Sequence, residues 1–592
     1  MCGFAGFFKL GGMDEDRARS VVEAMTRSLM HRGPDDSGVW IDAGTGVALG
    51  HRRLAIIDLS PQGHQPMHSA CTRFTIAFNG EIYNFKELRR DLEELGHCFR
   101  GHSDTEVMLA ALVEWGLTEA VKRFNGMFAF ALWDAQTRTL SLARDRAGEK
   151  PLYYCRYDGL LAFGSELKAL YAHPGFRRDI DRDSVGLYFR QGYITAPQTP
   201  FRCVHKLPPG TVLQVSEREF GAADWVPQAY WSARESFALA FGSRGTQESV
   251  GNTAEELEAL LLDAVRLRMV ADVTLGAFLS GGIDSSLVVA LMQAQSARPV
   301  RTFTVGFDDV KYDESGYAQA VARHLGTDHT ELRVDGQDAL AVVPRLAGIY
   351  DEPMSDASQI PTYLISALTR KHVTVSLSGD SGDELFGGYE RYITAERTRS
   401  NLFRWPQPLR GLLAIPLQAG YRGRALLPRR YQPFAGWVRK AAAILAAKEP
   451  AGLYSELLSR WQDTAGLVRG SADPGAPFSG LLTGLPRYPF QEEMMLLDFL
   501  TYLPDDILTK VDRASMAVSL ETRIPFLDAR VIEFAWRLAP RCKINAGVGK
   551  WLLRKVLHKY VPPGLVERSK MGFGVPLGQW LRGPLQIGRA HV

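Results

Sequence analysis

The chain has few cysteines, no long apolar run and no excess of charge of either sign. Its 6 cysteines are Cys2, Cys71, Cys98, Cys155, Cys203 and Cys542, and no two of them form a Cys-x-x-Cys pair. That spacing excludes a zinc ribbon and a disulfide-stapled scaffold. Lys and Arg number 69 against 66 Asp and Glu, a net charge of +3. Without a basic excess there is no electrostatic case for nucleic acid or an anionic membrane as partner. No uninterrupted apolar stretch approaches the ~20 residues a membrane helix needs. The apolar opening is short and broken by glycines, so no signal peptide is read either. The cytoplasm is the expected location, and there the Cys2 thiol stays reduced. What is present is ordinary globular composition, 46% hydrophobic and 23% charged, over 592 residues. That length exceeds one hydrophobic core and implies two or more domains. The terminal Ile587-Gly588-Arg589-Ala590-His591-Val592 resembles a translated adapter. The native chain is expected to continue past Gln586, and residues 587–592 are set aside.

Up to about Val215 the pattern is β-rich. Apolar runs at 1–9, 47–58, 73–83, 127–133, 140–145 and 152–163 read as strands, with Asp158-Gly159 as a hairpin turn. Amphipathic helices are expected at 85–95, stopped by Gly96, and at 104–115, stopped by Gly116. Strands in runs with helices between them fit layered α+β packing. Gly242-Ser243-Arg244-Gly245-Thr246-Gln247-Glu248-Ser249 reads as a linker. Thr253 with Glu256 forms a capping-box signal opening a helix. Strand and helix signals then alternate: 273–279, 283–295, 301–307, 315–325, 329–334 and 373–377. Such alternation implies parallel βαβ units with ligands at the carboxyl ends of the strands. From Arg391 onward the chain reads as mostly helical.

Two segments carry chemistry. The first is Cys2, within Met1-Cys2-Gly3-Phe4-Ala5-Gly6. Removal of the initiator methionine places a thiol and a free α-amine on one Cα. An α-amine titrates near ~7.7–8.0 and can serve as the thiol's own general base. The bland alternative is a small buried hydrophobe. The second is Leu279-Ser280-Gly281-Gly282-Ile283-Asp284-Ser285-Ser286, where a strand gives way to a helix. Glycines let the backbone approach an anion, and the helix N-terminus offers free N–H groups. Asp284 would repel phosphate unless a cation lies between, which implies Mg²⁺.

The loop resembles the pyrophosphatase loop of enzymes that split ATP into AMP and pyrophosphate, and Cys2 resembles the nucleophile of class II glutamine amidotransferases. In this order the two resemble the glutamine-hydrolysing asparagine synthetase family. That resemblance implies a four-layer αββα domain of the N-terminal nucleophile type at 1–215 and a connecting segment at 216–250. An α/β parallel-sheet ATP pyrophosphatase domain with a helical C-terminal part would occupy 251–586. It implies that Cys2 attacks the glutamine amide. Arg53 would hold the glutamine α-carboxylate, Glu81 and Asp104 would face its α-amine, and Asn79 and Gly80 would stabilise the oxyanion. It further assigns Leu279, Ser280, Gly281, Gly282, Ser285, Ser286, Val305, Gly306 and Gly379 to ATP, and Asp284 and Asp383 to Mg²⁺. Asp380 stands where the family carries a glutamate, and Lys570 matches its late catalytic lysine. His31-Arg32-Gly33-Pro34-Asp35-Asp36 reads as loop architecture, and Lys510-Val511-Asp512-Arg513-Ala514-Ser515-Met516-Ala517 as scaffold lining the second site. The implied partners are glutamine, ATP, a carboxylate acceptor with aspartate first, and a second copy of the chain.

The acceptor segment departs from the family. No arginine occurs in Asp351-Glu352-Pro353-Met354-Ser355-Asp356-Ala357-Ser358-Gln359-Ile360-Pro361-Thr362-Tyr363, where the family bears one for the aspartate carboxylate. Either Arg523 or another residue supplies that cation, or the acceptor is a different carboxylate, such as one on a glycan or peptide. A glutaminase with an inert second loop, and a non-catalytic sensor, are the readings from other classes.

Overall fold

The computed structural model describes residues 2–157, 159–221, 225–244, 250–307, 313–422, 432–462, 464–472, 478, 480–568, 574–575 and 577–583. The first strand, β1 (Gly3–Lys9), is buried along nearly its whole length. A strand of this kind must be covered on both faces. Phe4 and Phe8 point into a core shared with a second sheet, while Ala5 and Phe7 pack under helices. Further strands are β2 (Asp36–Asp42), β3 (Val47–Arg53), β4 (Met67–His68), β5 (Phe74–Ile82), β6 (Gly126–Asp134) and β7 (Thr139–Arg144). They are followed by β8 (Tyr153–Tyr157), β9 (Leu160–Gly164), β10 (Val204–Lys206), β11 (Thr211–Ser216) and β12 (Gln228–Ala229). They form two six-stranded sheets, in the orders β10-β8-β9-β1-β3-β2 and β12-β11-β7-β6-β5-β4. The neighbouring strands pair antiparallel.

Helices α1 (Glu15–Arg27), α2 (Phe85–Glu94), α3 (Asp104–Arg123) and α4 (Leu167–Tyr171) complete the outer layers. Val22 and Met25 of α1 and Leu167 of α4 pack on the first sheet. Leu88 and Leu92 of α2 and Met108 of α3 pack on the second. The result is the expected four-layer αββα sandwich. Gly116 stops the first part of α3 as the sequence implied. It adopts φ 72°, ψ 167°, and a second helical stretch follows directly.

The second half holds a five-stranded parallel sheet of β13 (Leu275–Phe278), β14 (Arg301–Phe307), β15 (Asp328–Val334), β16 (Val375–Leu377) and β17 (Glu521–Arg523). The order is β15-β14-β13-β16-β17, so the winding reverses between β13 and β16. Ligands of doubly wound sheets bind at that switch point, beyond the carboxyl ends of the strands. Two expectations are corrected. The helix expected to open at Thr253 runs Val250–Arg268, so Thr253 lies buried inside it rather than at its start. β17 lies within the stretch read as helical; its three residues Glu521, Thr522 and Arg523 are all polar and fully paired into the sheet against β16.

Candidate active sites

Cys2 enters the first site at the head of β1, 8% exposed. A cavity of about 30 Å³ is lined by Cys2, Arg53, Gly80, Glu81 and Asp104, together with Gly63 and Gln65. The Cys2 backbone N–H donates to Asn79 Oδ1 at 3.0 Å, and its Sγ points at Leu54 O at 3.9 Å. Asn79 is fully buried, and its Nδ2 has no partner among the described residues. Such a donor is expensive to leave unmade. Gly80 faces Phe128 across β5 and β6. Phe128 uses its N–H and C=O on Asp145, so the Gly80 N–H is turned away from β6.

The pocket is electrically matched to a zwitterion. Arg53 donates to the carbonyls of Ser60 (3.2 Å) and Asp58, which set the plane of its fork. Opposite it, burial pushes Asp104 up to about 6 and Glu81 well above the usual carboxylate range. The Asp104 carboxylate accepts from Ile82 N at 2.9 Å. The cap of α3 is Ser103, so Asp104 is not the capping residue. Glu81 Oε1 has Arg523 at 3.3 Å, while its Oε2 has no hydrogen-bond partner among the described residues. Burial pushes the Cys2 thiol up as well, which makes a local base necessary. His51 is structural: it holds Phe78 O at 2.9 Å, and burial pushes it down to about 3.

The second site lies at the switch point. The loop from Leu279 to Ser286 is folded on itself, with Ser280 Oγ 2.9 Å from Ser285 Oγ and 3.3 Å from Gly282 N. Gly281 adopts φ +74°, and a Cβ there would strike the backbone of Tyr317 and Ala318. Leu279 N donates to Phe303 O, and Ser286 Oγ is buried without a partner among the described residues. Gly379, after β16, packs on the backbone of Asp284 and Ser285. Asp380 is held by Ser378 Oγ at 2.6 Å. Ser381 takes φ +73°, an uncommon conformation for a side-chain-bearing residue. Val305 and Gly306 lie near the end of the adjacent β14, where Val305 packs into a core that also holds Tyr350 and Ile360.

Asp284 and Asp383 come together here, with Lys550 pairing to Asp284 and to Asp383 Oδ1, the latter at 2.7 Å. Burial alone would lower the Lys550 ammonium, but the two carboxylates raise it. Two carboxylates beside this glycine- and serine-rich loop suit Mg²⁺, which takes one or two protein oxygens and completes its shell with other oxygens and water.

The structure separates other expected residues. Arg523 is fully buried and committed to Glu521 (2.6 Å), Glu81 and the carbonyls of Arg268 and Val270. It faces the first site and is withdrawn from the acceptor. In the acceptor segment, Asp351 and Glu352 bind the first domain through Lys168, Tyr153 and Lys206. Asp356 and Ser358 turn to Lys510, whose Nζ lies 2.9 and 2.8 Å from their side-chain oxygens. Burial would raise Asp356, but Lys510 holds it down to about 2, while burial and Asp356 push Asp506 up to about 8. Lys570 lies outside the described residues. The sequence reading passed over Gly63, Gln65 and Lys550, and took Arg32 as architecture.

A cysteine glutaminase pocket on an αββα sandwich, joined to a phosphate loop at a parallel-sheet switch point, defines a two-domain glutamine amidotransferase. Family models agree: a glutamine amidotransferase domain matches residues 1–231 and asparagine synthase matches 256–590. The chain belongs to the asparagine synthase family of carbon–nitrogen ligases. Asparagine synthetase [glutamine-hydrolyzing] 1 of Bacillus subtilis is 33% identical over 591 residues, covering 98% of this chain and 88% of that protein. A Mycobacterium tuberculosis protein assigned as a glutamine-hydrolyzing asparagine synthetase is 36% identical with the same coverage. Amidase chry2 of Gibberella zeae is 28% identical, covering 99% of this chain and 90% of its own length.

Proposed function

We propose that this chain amidates a carboxylate at the expense of ATP, with ammonia released from glutamine at Cys2. The observation that carries the reading is the arrangement around Cys2. Arg53 offers a fork for the α-carboxylate, the buried carboxyls Glu81 and Asp104 await an ammonium, and Asn79 Nδ2 is a spare donor beside the thiol. With Met1 removed, the Cys2 nitrogen that Asn79 Oδ1 now holds becomes the α-amine. It takes the thiol proton as Sγ attacks the glutamine amide carbon. Asn79 Nδ2 and the Gly80 N–H hold the oxyanion, ammonia leaves, and water hydrolyses the thioester to glutamate.

At the second site the loop 279–286 and Gly379 would cradle the phosphates, with Asp284 and Asp383 holding Mg²⁺ in place of the Lys550 ammonium. Bound there, the ion would neutralise charge on the leaving pyrophosphate. An acceptor carboxylate attacks the α-phosphorus, pyrophosphate departs, and ammonia displaces AMP from the acyl-adenylate. Asp380 and Lys570 are the proposed acid–base and charge-stabilising groups. A reduced thiol at Cys2 fits work in the cytoplasm.

Aspartate is the first acceptor to test. A different carboxylate is favoured by one observation: Arg523 is engaged elsewhere, and Lys510 is already neutralised by Asp356. The deciding experiment is an acceptor screen scored by pyrophosphate release, with aspartate first, on the wild type and Cys2→Ala. Cys2→Ala should lose glutamine-dependent release and keep ammonia-dependent release. Loss of both in a folded protein would refute the two-site account.

A further inference from the structure

The nucleophile's backbone is held at both ends. Asn79 takes the Cys2 nitrogen, and the Cys2 carbonyl accepts from Arg32 Nε at 2.9 Å. Arg32 follows α1, and its side chain is completely buried. The rest of its guanidinium crosses the domain boundary. Nη1 and Nη2 form a fork on the carboxylate of Asp512, at 2.7 and 3.0 Å. Asp512 belongs to the helix Thr509–Met516 of the synthetase half and is 3% exposed. Lys150 Nζ stands 3.5 Å from Asp512 Oδ1. Glu166 binds Arg32 Nη1 at 2.7 Å and Arg513 at 2.8 Å, extending a buried chain of alternating charges.

A guanidinium is planar, so a bidentate carboxylate fixes the direction of Nε–H as well as the position of the group. The Nε–H direction fixes the Cys2 carbonyl. The carbonyl sets the backbone torsion of residue 2, and hence where Sγ and the nitrogen point. Glu166 alone grips Arg32 at one nitrogen and leaves the plane free to rotate.

We propose that Asp512, a residue of the synthetase half, is a positioning residue of the glutaminase reaction, acting through Arg32 on the Cys2 carbonyl. The glutaminase constellation is then complete only with the second domain docked. Two residues earlier on the same helix, Lys510 binds Asp356 of the acceptor segment. One rigid element therefore touches both centres. The inference rests on Cys2 being the nucleophile.

The test uses the full chain with Asp512→Asn and Asp512→Glu. Three quantities are measured: kcat and KM for glutamine hydrolysis, the rate of Cys2 alkylation by iodoacetamide against pH, and ammonia-dependent pyrophosphate release. Misplacing a reacting group by about 1 Å costs on the order of 100-fold. Asp512→Asn should lower glutaminase kcat by about 10- to 100-fold with KM within about threefold, slow alkylation, and leave ammonia-dependent release within about twofold. Asp512→Glu should fall between Asn and wild type. An unchanged kcat, or a parallel fall in ammonia-dependent release by a folded protein, overturns the proposal. If Asp512→Asn does not fold, Asp512→Glu decides alone: wild-type kcat overturns the proposal, and a reduced kcat with intact ammonia-dependent release supports it. Glutamine-dependent activity surviving in Cys2→Ala would instead sink the nucleophile reading itself.

Discussion

Asp284 and Asp383 stand in the first turns of two different helices, Ile283–Ala294 and Gly382–Phe386, and share one ammonium, that of Lys550. Like charges this close repel unless a cation lies between them. In the absence of Mg²⁺, Lys550→Met should therefore lower the melting temperature, because two half-buried carboxylates lose their common counter-ion. Adding Mg²⁺ with a non-hydrolysable ATP analogue should restore more stability to the variant than to the wild type. Thermal melts with and without the metal check this. An equal gain in both proteins would mean that the metal does not enter between the two carboxylates. Asp383→Asn should lower ATP-dependent pyrophosphate release at least about 100-fold and leave glutamine hydrolysis intact.

The glutamine pocket should show a pH signature. Burial raises Asp104 from 3.8 to about 6. The folded chain thus holds this proton more tightly than the unfolded one. Its contribution is fully present below pH 3.8 and is lost as pH rises through about 6, a loss on the order of 3 kcal/mol. Glutamine needs the ionised form, so KM for glutamine should fall as pH rises through about 6. Asp104→Asn should remove that inflection and raise KM, while raising the melting temperature at pH 7.5. A variant less stable than wild type at pH 7.5 would contradict the assigned burial penalty.

Much of the first site was legible because its residues sit in short contiguous motifs. Asn79, Gly80 and Glu81 are consecutive on β5, and Asp104 opens α3 directly after its capping serine. The phosphate loop was legible for the same reason, since strand, glycines and helix follow one another in sequence. What escaped depends on distant contacts. Arg32 meets Asp512 across 480 positions, and Lys550 meets Asp284 across 266. A lone arginine or lysine carries no sign of such a partner. β17 escaped because three polar residues buried by their neighbours show neither strand periodicity nor apolar character. Arg523 was misplaced for a related reason: its proximity in sequence to family-like segments says nothing about which domain it faces.

On the proposed reading, Asn79 offers two different atoms to the reaction. Its Oδ1 holds the Cys2 nitrogen at 3.0 Å, and its buried Nδ2 awaits an acceptor. Asn79→Ala should lower glutaminase kcat by about 100- to 1,000-fold, the usual loss for one oxyanion donor. KM should change little, because the donor acts on charge that develops in the transition state. Asn79→Asp keeps the Oδ1 contact and replaces the donor with an acceptor, so it should be no more active than Asn79→Ala. Steady-state glutamine hydrolysis measures both, and ammonia-dependent synthesis serves as the folding control. A large rise in KM with kcat preserved would move Asn79 from oxyanion stabilisation to substrate binding.

Gly63 tests the carboxylate grip. A Cβ at this position would collide with Arg53 Nη2 and crowd Asp58 O at 3.0 Å, the carbonyl that orients the same fork. The backbone carbonyl cannot retreat easily, whereas the guanidinium can swing away. Gly63→Ala should therefore displace Arg53 from the glutamine α-carboxylate and leave Cys2 in place. The loss is one misaligned charge-assisted pair, about 1.5–3 kcal/mol. That corresponds to a rise in KM for glutamine of about 10- to 100-fold with kcat within about threefold. Alkylation of Cys2 by iodoacetamide, which needs no α-carboxylate, should proceed at the wild-type rate. If alkylation slows along with glutamine hydrolysis, the substitution has disturbed the nucleophile, and the assignment of Arg53 to the carboxylate loses this support.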